Sequence, residues 1–410
     1  MRAINTEVLV VGAGPAGSSA ATWAARAGHE VLLIDSAKFP RDKPCGDGLT
    51  PRAIAELTAL GLGSWLSGRA RNLGLRAAGF GQELLLPWPG GSLPNYGGAA
   101  PRMVLDATIL QVATDAGAKL LEETAAIDAV QVDSRIESVI AKSGEEQLQI
   151  NAKQVIIADG AKSQLGRKLN RQWHRNTAYG VAARGYIQSE RSDDPWISSH
   201  LELRNADNEI LSGYGWIFPL GNGEVNIGVG TLATNKRPAD INLRSLLHQY
   251  TDEQRADWKL YGDINAPWSA LLPMGGAVSG VAGRNYMFVG DAAGCVNPLN
   301  GEGIDYGLET GRLAAQMLDV ESDFTSAWPA ELRSHYGYAF SIARRLAGIL
   351  TVPGLLPAAG PIGMRSGTLM KLALRVMGNL ITEEDKDLLA RTWRTAGRLS
   401  IKLDERPPFS

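Results

Sequence analysis

The chain has 410 residues, 41 Lys and Arg against 43 Asp and Glu, and is 44% apolar and 20% charged, a composition that excludes a disordered or fibrous protein. At roughly 150 residues per domain there is room for two to three units with a sizeable core. A formal charge of −2 without a basic stripe argues against nucleic acid as partner, and two cysteines, Cys45 and Cys295, exclude a disulfide framework and fit a reducing cytoplasm.

The opening apolar run leads into a glycine turn and is too short for a signal core, so residues 7–11 read as a buried strand. Apolar periodicity then gives a helix over 16–27 and a strand over 31–34, a βαβ opening. Helices are expected over 52–60 and 102–116, a strand over 119–122, and hairpin strands within 125–160. From 179 to 232 the pattern predicts an antiparallel sheet. A buried strand over 286–289 and a helix over 303–318 follow, and the remainder reads as helical. Within it, the uncharged stretch 346–364 is interrupted by Pro353, Pro357 and Pro361, so no continuous spanning helix is expected. Residues 332–381 carry six basic side chains and no acidic one. That suits either an interfacial element on an anionic leaflet or a helical tail that covers the core.

Gly12-Ala-Gly14-Pro-Ala16-Gly17 follows the first strand and opens the first helix. Gly12 suits the tight turn, Gly14 a close approach to a pyrophosphate, and Gly17 close helix–strand packing. The helix N-terminus adds free N–H groups and partial positive charge. Asp35 lies 18 residues past Gly17 at the end of the next strand, where a carboxylate accepts ribose hydroxyls. A second acidic turn, Gly290-Asp291-Ala-Ala-Gly294, suits a polyol, and Gly303-Ile304 open a helix whose N–H groups stabilise negative charge. Asp159-Gly160 taken alone is a turn. No second G-x-G-x-x-G occurs, so no separate domain for a resident nicotinamide cofactor is expected. The five histidines show no metal-ligand spacing, and no metal site is expected.

Together GAGPAG with Asp35, ADGAKS and GDAAG resemble the flavoprotein superfamily of aromatic hydroxylases, flavin halogenases and geranylgeranyl reductases. Lys43-Pro44-Cys45-Gly46-Asp47-Gly48 looks like that superfamily's Cys-Gly loop. Tyr214-Gly-Trp216-Ile-Phe218-Pro219 is similar to the Y-x-W-x-F-P signature of the geranylgeranyl reductase family, and residues 213–230 look most like the actinobacterial reductases of the menaquinone side chain. The match spans roughly residues 5–320. Leu211 departs from it, standing where family members often have Pro.

The resemblance implies an α/β fold (α+β overall): a Rossmann-like FAD-binding domain from 1–78, 100–178 and 280–330, an inserted antiparallel substrate domain from 79–99 and 179–279, and a helical part over 331–410. It implies FAD contacts at Ala16, Asp35, Cys45, Gly46, Gly48, Arg102, Ala126, Asp291, Gly303 and Ile304. Arg102 either reaches a phosphate or ribityl group or pairs with Asp106 on a surface helix turn. Cys45 either supplies the proton of an alkene reduction or packs as a compact apolar residue, and Cys295 is expected to pack. Tyr214, Trp216 and Phe218 alternate on one strand face, as a substrate wall or as core. The implied reaction saturates isoprenoid C=C bonds of a polyprenyl lipid, menaquinone first and geranylgeranyl lipid second, at the inner face of the cell membrane. An NAD(P)H-dependent monooxygenase acting on an aromatic or quinone ring is the alternative.

Overall fold

The computed structural model describes residues 2–410. Arg2–Val11 is the spine of an eight-stranded sheet, because Val8–Val11 are buried on both faces and pair in parallel on both edges, with Val31–Ile34 and Glu146–Ile157. Tyr286–Phe288 extends the parallel set on one side and Lys119–Leu121 on the other. Two hairpin strands, Thr124–Val132 and Arg135–Ser143, fold back onto Glu146–Ile157. Pro15–Arg26, with Pro in its first turn, returns the chain across this sheet and packs on Ile304–Met317.

A seven-stranded sheet forms the second layer, in the order Leu260–Leu272, Tyr179–Ser189, Glu224–Ala233, Gly213–Pro219, Trp196–His200, Gly74–Gly79, Gln82–Pro87. It is antiparallel except where Trp196–His200 meets Gly74–Gly79. Strand Gly74–Gly79 belongs wholly to this sheet. Gly97–Ala99 instead pairs with Gly48–Leu49 and Ala70–Asn72, on the side of the first unit. Leu211, at the position where Pro is frequent in the family, donates its backbone N–H to the Leu203 carbonyl at 2.8 Å, a bond that Pro would remove.

Four helices make up most of the C-terminal part: Tyr338–Leu350, Leu355–Met364, Gly367–Met377 and Leu388–Lys402. The uncharged stretch breaks between the first two, where Gly354 takes φ +81°. No single helix among the described residues is long and apolar enough to cross a membrane, and the segments either side of the break meet at 111°. Four of the six basic residues are paired within the chain. Arg344 and Arg345 share Asp404, Arg375 pairs with Asp387 and Asp385, and Arg333 donates to the Phe409 carbonyl. The partners of Arg344, Arg345 and Arg375 are acidic residues beyond 381, and Arg344 is buried while Arg345 stays exposed.

Candidate active site

The carboxyl ends of four neighbouring parallel strands converge on one crevice. Val11 runs into Gly12, Ile34 into Asp35, Ile157 into Asp159, and Phe288 into the Asp291 turn. Backbone bonds lock these turns side by side: Gly12 N–H to the Ile34 carbonyl at 2.8 Å, Ala158 N–H to Val11 at 2.7 Å, and Val289 N–H to Ile157 at 3.0 Å. This end of a parallel sheet is where α/β folds bind nucleotides. Gly12 has φ +99°, and a Cβ there would lie 2.4 Å from the Ala158 carbonyl oxygen. A Cβ on Gly17 would lie 1.7 Å from the Gly12 oxygen, whereas one on Gly14 would meet only the Arg41 tip at 3.5 Å. The turn is therefore sealed behind and open in front.

The two helices that start at the crevice, Pro15–Arg26 and Ile304–Met317, have no side-chain cap, while Thr50, Asn242, Asp323 and Asp387 cap helices elsewhere. Their first N–H groups are left for an anionic ligand. A Cβ on Gly290 would come 2.8 Å from Ala16, so the glycine turn and the acidic turn touch. Asp35 accepts from Ala13 N–H at 2.6 Å through one oxygen and from Ala37 N–H at 2.8 Å through the other. Each oxygen keeps a lone pair for a ribose hydroxyl. Thr124 N–H donates to the Asp35 carbonyl, which brings Ala126, on the same strand, to this end of the sheet. Asp291 Oδ2 meets Lys43 Nζ at 3.2 Å. These features fit an extended dinucleotide such as FAD, with an adenosine end at Asp35 and a polyol end at Asp291.

Cys45, Gly46 and Gly48 lie on a loop pressed against the aromatic stripe. A Cβ on Gly46 would sit 3.2 Å from the Phe218 ring and 3.3 Å from Trp216 Nε1, and one on Gly48 would sit 2.9 Å from Phe218. Ring centroids step along the stripe, 5.9 Å from Tyr214 to Trp216 and 6.3 Å on to Phe218. Trp216 is buried, with Nε1 bonded to Asn226 Oδ1 at 2.9 Å, and Tyr214 donates to the Asn300 carbonyl at 2.5 Å. The stripe thus joins the Cys45 loop to the loop that precedes the Ile304–Met317 helix. Burial pushes the Cys45 thiol up, which keeps it protonated through neutral pH.

The surface-pair reading of Arg102 is corrected. Arg102 is 3% exposed and grips Asp106 with two bonds of 2.6 and 2.7 Å, while Arg41 reaches the same carboxylate at 2.8 Å. Although burial opposes ionisation, Arg102 and then Arg41 hold Asp106 below the ordinary carboxylate range. Cys295 is fully buried, as packing requires.

Residues that sequence reasoning left unassigned complete the site. Buried Arg184 donates to the Cys45 and Lys43 carbonyls and to Asp42 Oδ1, stapling the loop to the seven-stranded sheet. Asp47, buried with φ +62°, accepts from Tyr186 and Asn226 through one oxygen, and its other oxygen has no partner. Burial pushes Asp47 up to about 6 against those hydrogen bonds. Arg184 and Tyr186 alternate on one strand, and that spacing was the available signal; nothing in the sequence tied them to residues 42–47.

An FAD binding domain family model matches residues 5–257. A menaquinone reductase of Mycobacterium tuberculosis is 60% identical over 408 residues, covering 99% of each chain. Digeranylgeranylglycerophospholipid reductase 2 of Methanosphaera stadtmanae is 32% identical over 321 residues, 75% of this chain and 76% of that one. A solved geranylgeranyl bacteriochlorophyll reductase-like protein of Thermoplasma acidophilum superposes with a TM-score of 0.73 at 21% identity, covering 98% and 97% of the two chains. The chain therefore belongs to the FAD-binding-domain flavoproteins and, within them, to the geranylgeranyl reductase family.

Proposed function

We propose that the protein saturates isoprenoid C=C bonds of a polyprenyl lipid, the menaquinone side chain first and geranylgeranyl lipids second. The observation that carries this reading is the Tyr214–Trp216–Phe218 stripe packed on the Cys45–Gly48 loop beside the dinucleotide crevice. Its 60% identity to a menaquinone reductase over nearly the whole chain supports the substrate. FAD, when bound and reduced by an external donor (NAD(P)H or a reduced carrier protein), supplies the hydride.

The chain does the rest. Gly12, Gly14, Ala16 and Gly17 shape the turn that would take the pyrophosphate, Asp35 with Ala126 nearby would hold the adenosine ribose, and Asp291 with Lys43 would hold the polyol. Gly303 and Ile304 would offer N–H groups to negative charge on the cofactor, and Gly46 and Gly48 let the loop approach the aromatic stripe closely. Arg102, fixed by Asp106, lies behind Cys45. The Cys45 thiol donates its proton to the alkene carbon opposite the one that receives hydride, and the aromatic stripe orients the alkene and excludes water. The FAD-binding unit takes 1–73 with 97–178 and 280–330, the sheet unit 74–96 with 179–279, and the helical part 331–410. Contact with the inner face of the cell membrane rests on exposed Ile349, Val352, Ile362, Leu369 and Leu372, with Arg365 and Lys371 alongside.

The test is anaerobic: dithionite-reduced, FAD-loaded protein is incubated with menaquinone and the lipid is weighed by mass spectrometry. A gain of two hydrogens per reduced bond is expected. No gain, or label from heavy oxygen in the product under air, overturns the reading in favour of a monooxygenase. Cys45→Ser retains the flavin spectrum and loses most turnover; wild-type turnover removes Cys45 from the reaction.

A further inference from the structure

Behind the loop that carries Asn300 lies a cavity of about 250 Å³, between the Ile304–Met317 helix, the wide turn Arg333–Gly337 and the C-terminal helices. That is far more than one water needs. One wall is aromatic: Phe340 stands 5.1 Å from Tyr306 and 5.6 Å from Tyr336, centroid to centroid, and Trp393 adds a further ring. The wide turn is a π-turn, a local form that recurs at functional sites.

The polar groups in this wall are unfinished. Tyr336 is only 5% exposed, yet its hydroxyl has no hydrogen-bond partner. One oxygen of Glu309 is likewise buried and unpartnered, and Arg52 approaches its other oxygen only to 3.7 Å. Burial first, and then the charge of the Glu309 carboxylate beside it, keeps the Tyr336 phenol protonated, so it is available as a donor. A native fold leaves few such groups unpaired unless a ligand completes them. A planar ring bearing oxygen matches the aromatic faces of the lining and offers the Tyr336 hydroxyl an acceptor.

Position ties the cavity to the reaction. Pro298 lines it, and two residues on, the Asn300 carbonyl receives the Tyr214 hydroxyl. Leu299, Ala343 and Ala347, with Leu232, form an apolar cluster alongside that loop. We propose that this cavity binds the naphthoquinone ring of the substrate, with one ring oxygen on the Tyr336 hydroxyl, so that the isoprenoid chain passes over Leu299 to the Tyr214 end of the aromatic stripe. The inference rests on the menaquinone reading above.

The probe is 2-methyl-1,4-naphthoquinone, a ring with no isoprenoid tail, measured by equilibrium dialysis against the oxidised, FAD-loaded full chain. Wild type is expected to bind it. Tyr336→Phe weakens binding about tenfold, the loss of one buried hydrogen bond. Val376→Phe, which fills the cavity from its half-buried rim, abolishes binding. Flavin absorbance in both variants reports that the fold and the cofactor crevice persist. No binding by wild type, or equal affinity in all three proteins, overturns the inference. Hydrogen gain by menaquinone with unchanged ring affinity sinks this inference alone, whereas absent hydrogen gain in wild type sinks the reading on which it rests.

Discussion

Two helix contacts in this molecule are built in opposite ways. Pro15–Arg26 and Ile304–Met317 meet backbone to backbone: a Cβ on Gly311 would lie 2.3 Å from the Ala16 carbonyl oxygen and 2.9 Å from Ala20 N. Leu355–Met364 and Gly367–Met377 instead lean on the seven-stranded sheet through Met364, Met370 and Leu374, against Leu86, Trp88 and Ile197. The first contact has no slack for a methyl group. The second uses long, adaptable side chains that tolerate exchange. Where the backbone itself must approach a ligand or another helix, the sequence is forced to glycine at fixed spacing, and elsewhere many apolar residues serve.

The largest effect should come from breaking the rigid contact. Gly311→Val places carbon atoms against the Ala16 carbonyl oxygen and Ala20 N, and we expect no folded, flavin-loaded protein to be recovered, as read by flavin absorbance after purification. Next is the buried charge cluster behind Cys45. Asp106→Asn leaves Arg102 buried without a counter-charge, which costs about 3–5 kcal/mol in denaturant unfolding. Because Asp106 in the fold sits below its ordinary value of 3.8, its contribution in wild type is present above about pH 4 and is lost as pH falls through the folded-state value. The variant should lack that acid limb.

Asp47 has the opposite sign. Its folded value of about 6 lies above the ordinary 3.8, so ionising it in place costs stability as pH rises from about 4 to 6. Asp47→Asn tolerates the positive φ and keeps an oxygen for Tyr186 and Asn226. Relative to wild type, it should gain up to about 3 kcal/mol between pH 4 and pH 7, measured as the shift in unfolding free energy. A flat difference across that range would show that Asp47 is not desolvated.

The same contrast explains what was legible beforehand. Gly12 and Gly17 could be read from spacing because the βαβ turn leaves no room for a Cβ at either, and strand Val31–Ile34 was found to the residue. The aromatic stripe followed from period-two alternation. Burial of Arg102 was not legible, since an Arg four residues before an Asp looks the same on an exposed helix. The Asp47–Tyr186–Asn226 network joins residues 139 and 179 positions apart, and no local pattern encodes such a contact. The pairing of Arg344, Arg345 and Arg375 was missed for the same reason: their acidic partners lie outside the basic stretch.

The smallest effect on stability, and the sharpest on location, belongs to the adaptable contact. Leu369 and Leu372 are 47% and 39% exposed on Gly367–Met377, while Leu374 on the same helix is buried. Replacing the first two with Ser removes apolar surface that is already in water, so unfolding free energy should change by less than about 0.5 kcal/mol. If the patch is what holds the protein to lipid, sedimentation with anionic vesicles should fall several-fold in Leu369→Ser/Leu372→Ser, because insertion depends on buried apolar area as well as charge. Only Arg365 and Lys371 of the six basic residues form none of the internal pairs described, so raising salt should weaken binding less than the double substitution does. Vesicle binding that survives the double substitution but vanishes in salt would move the lipid contact to a charged surface elsewhere and leave these helices a purely structural role over the sheet.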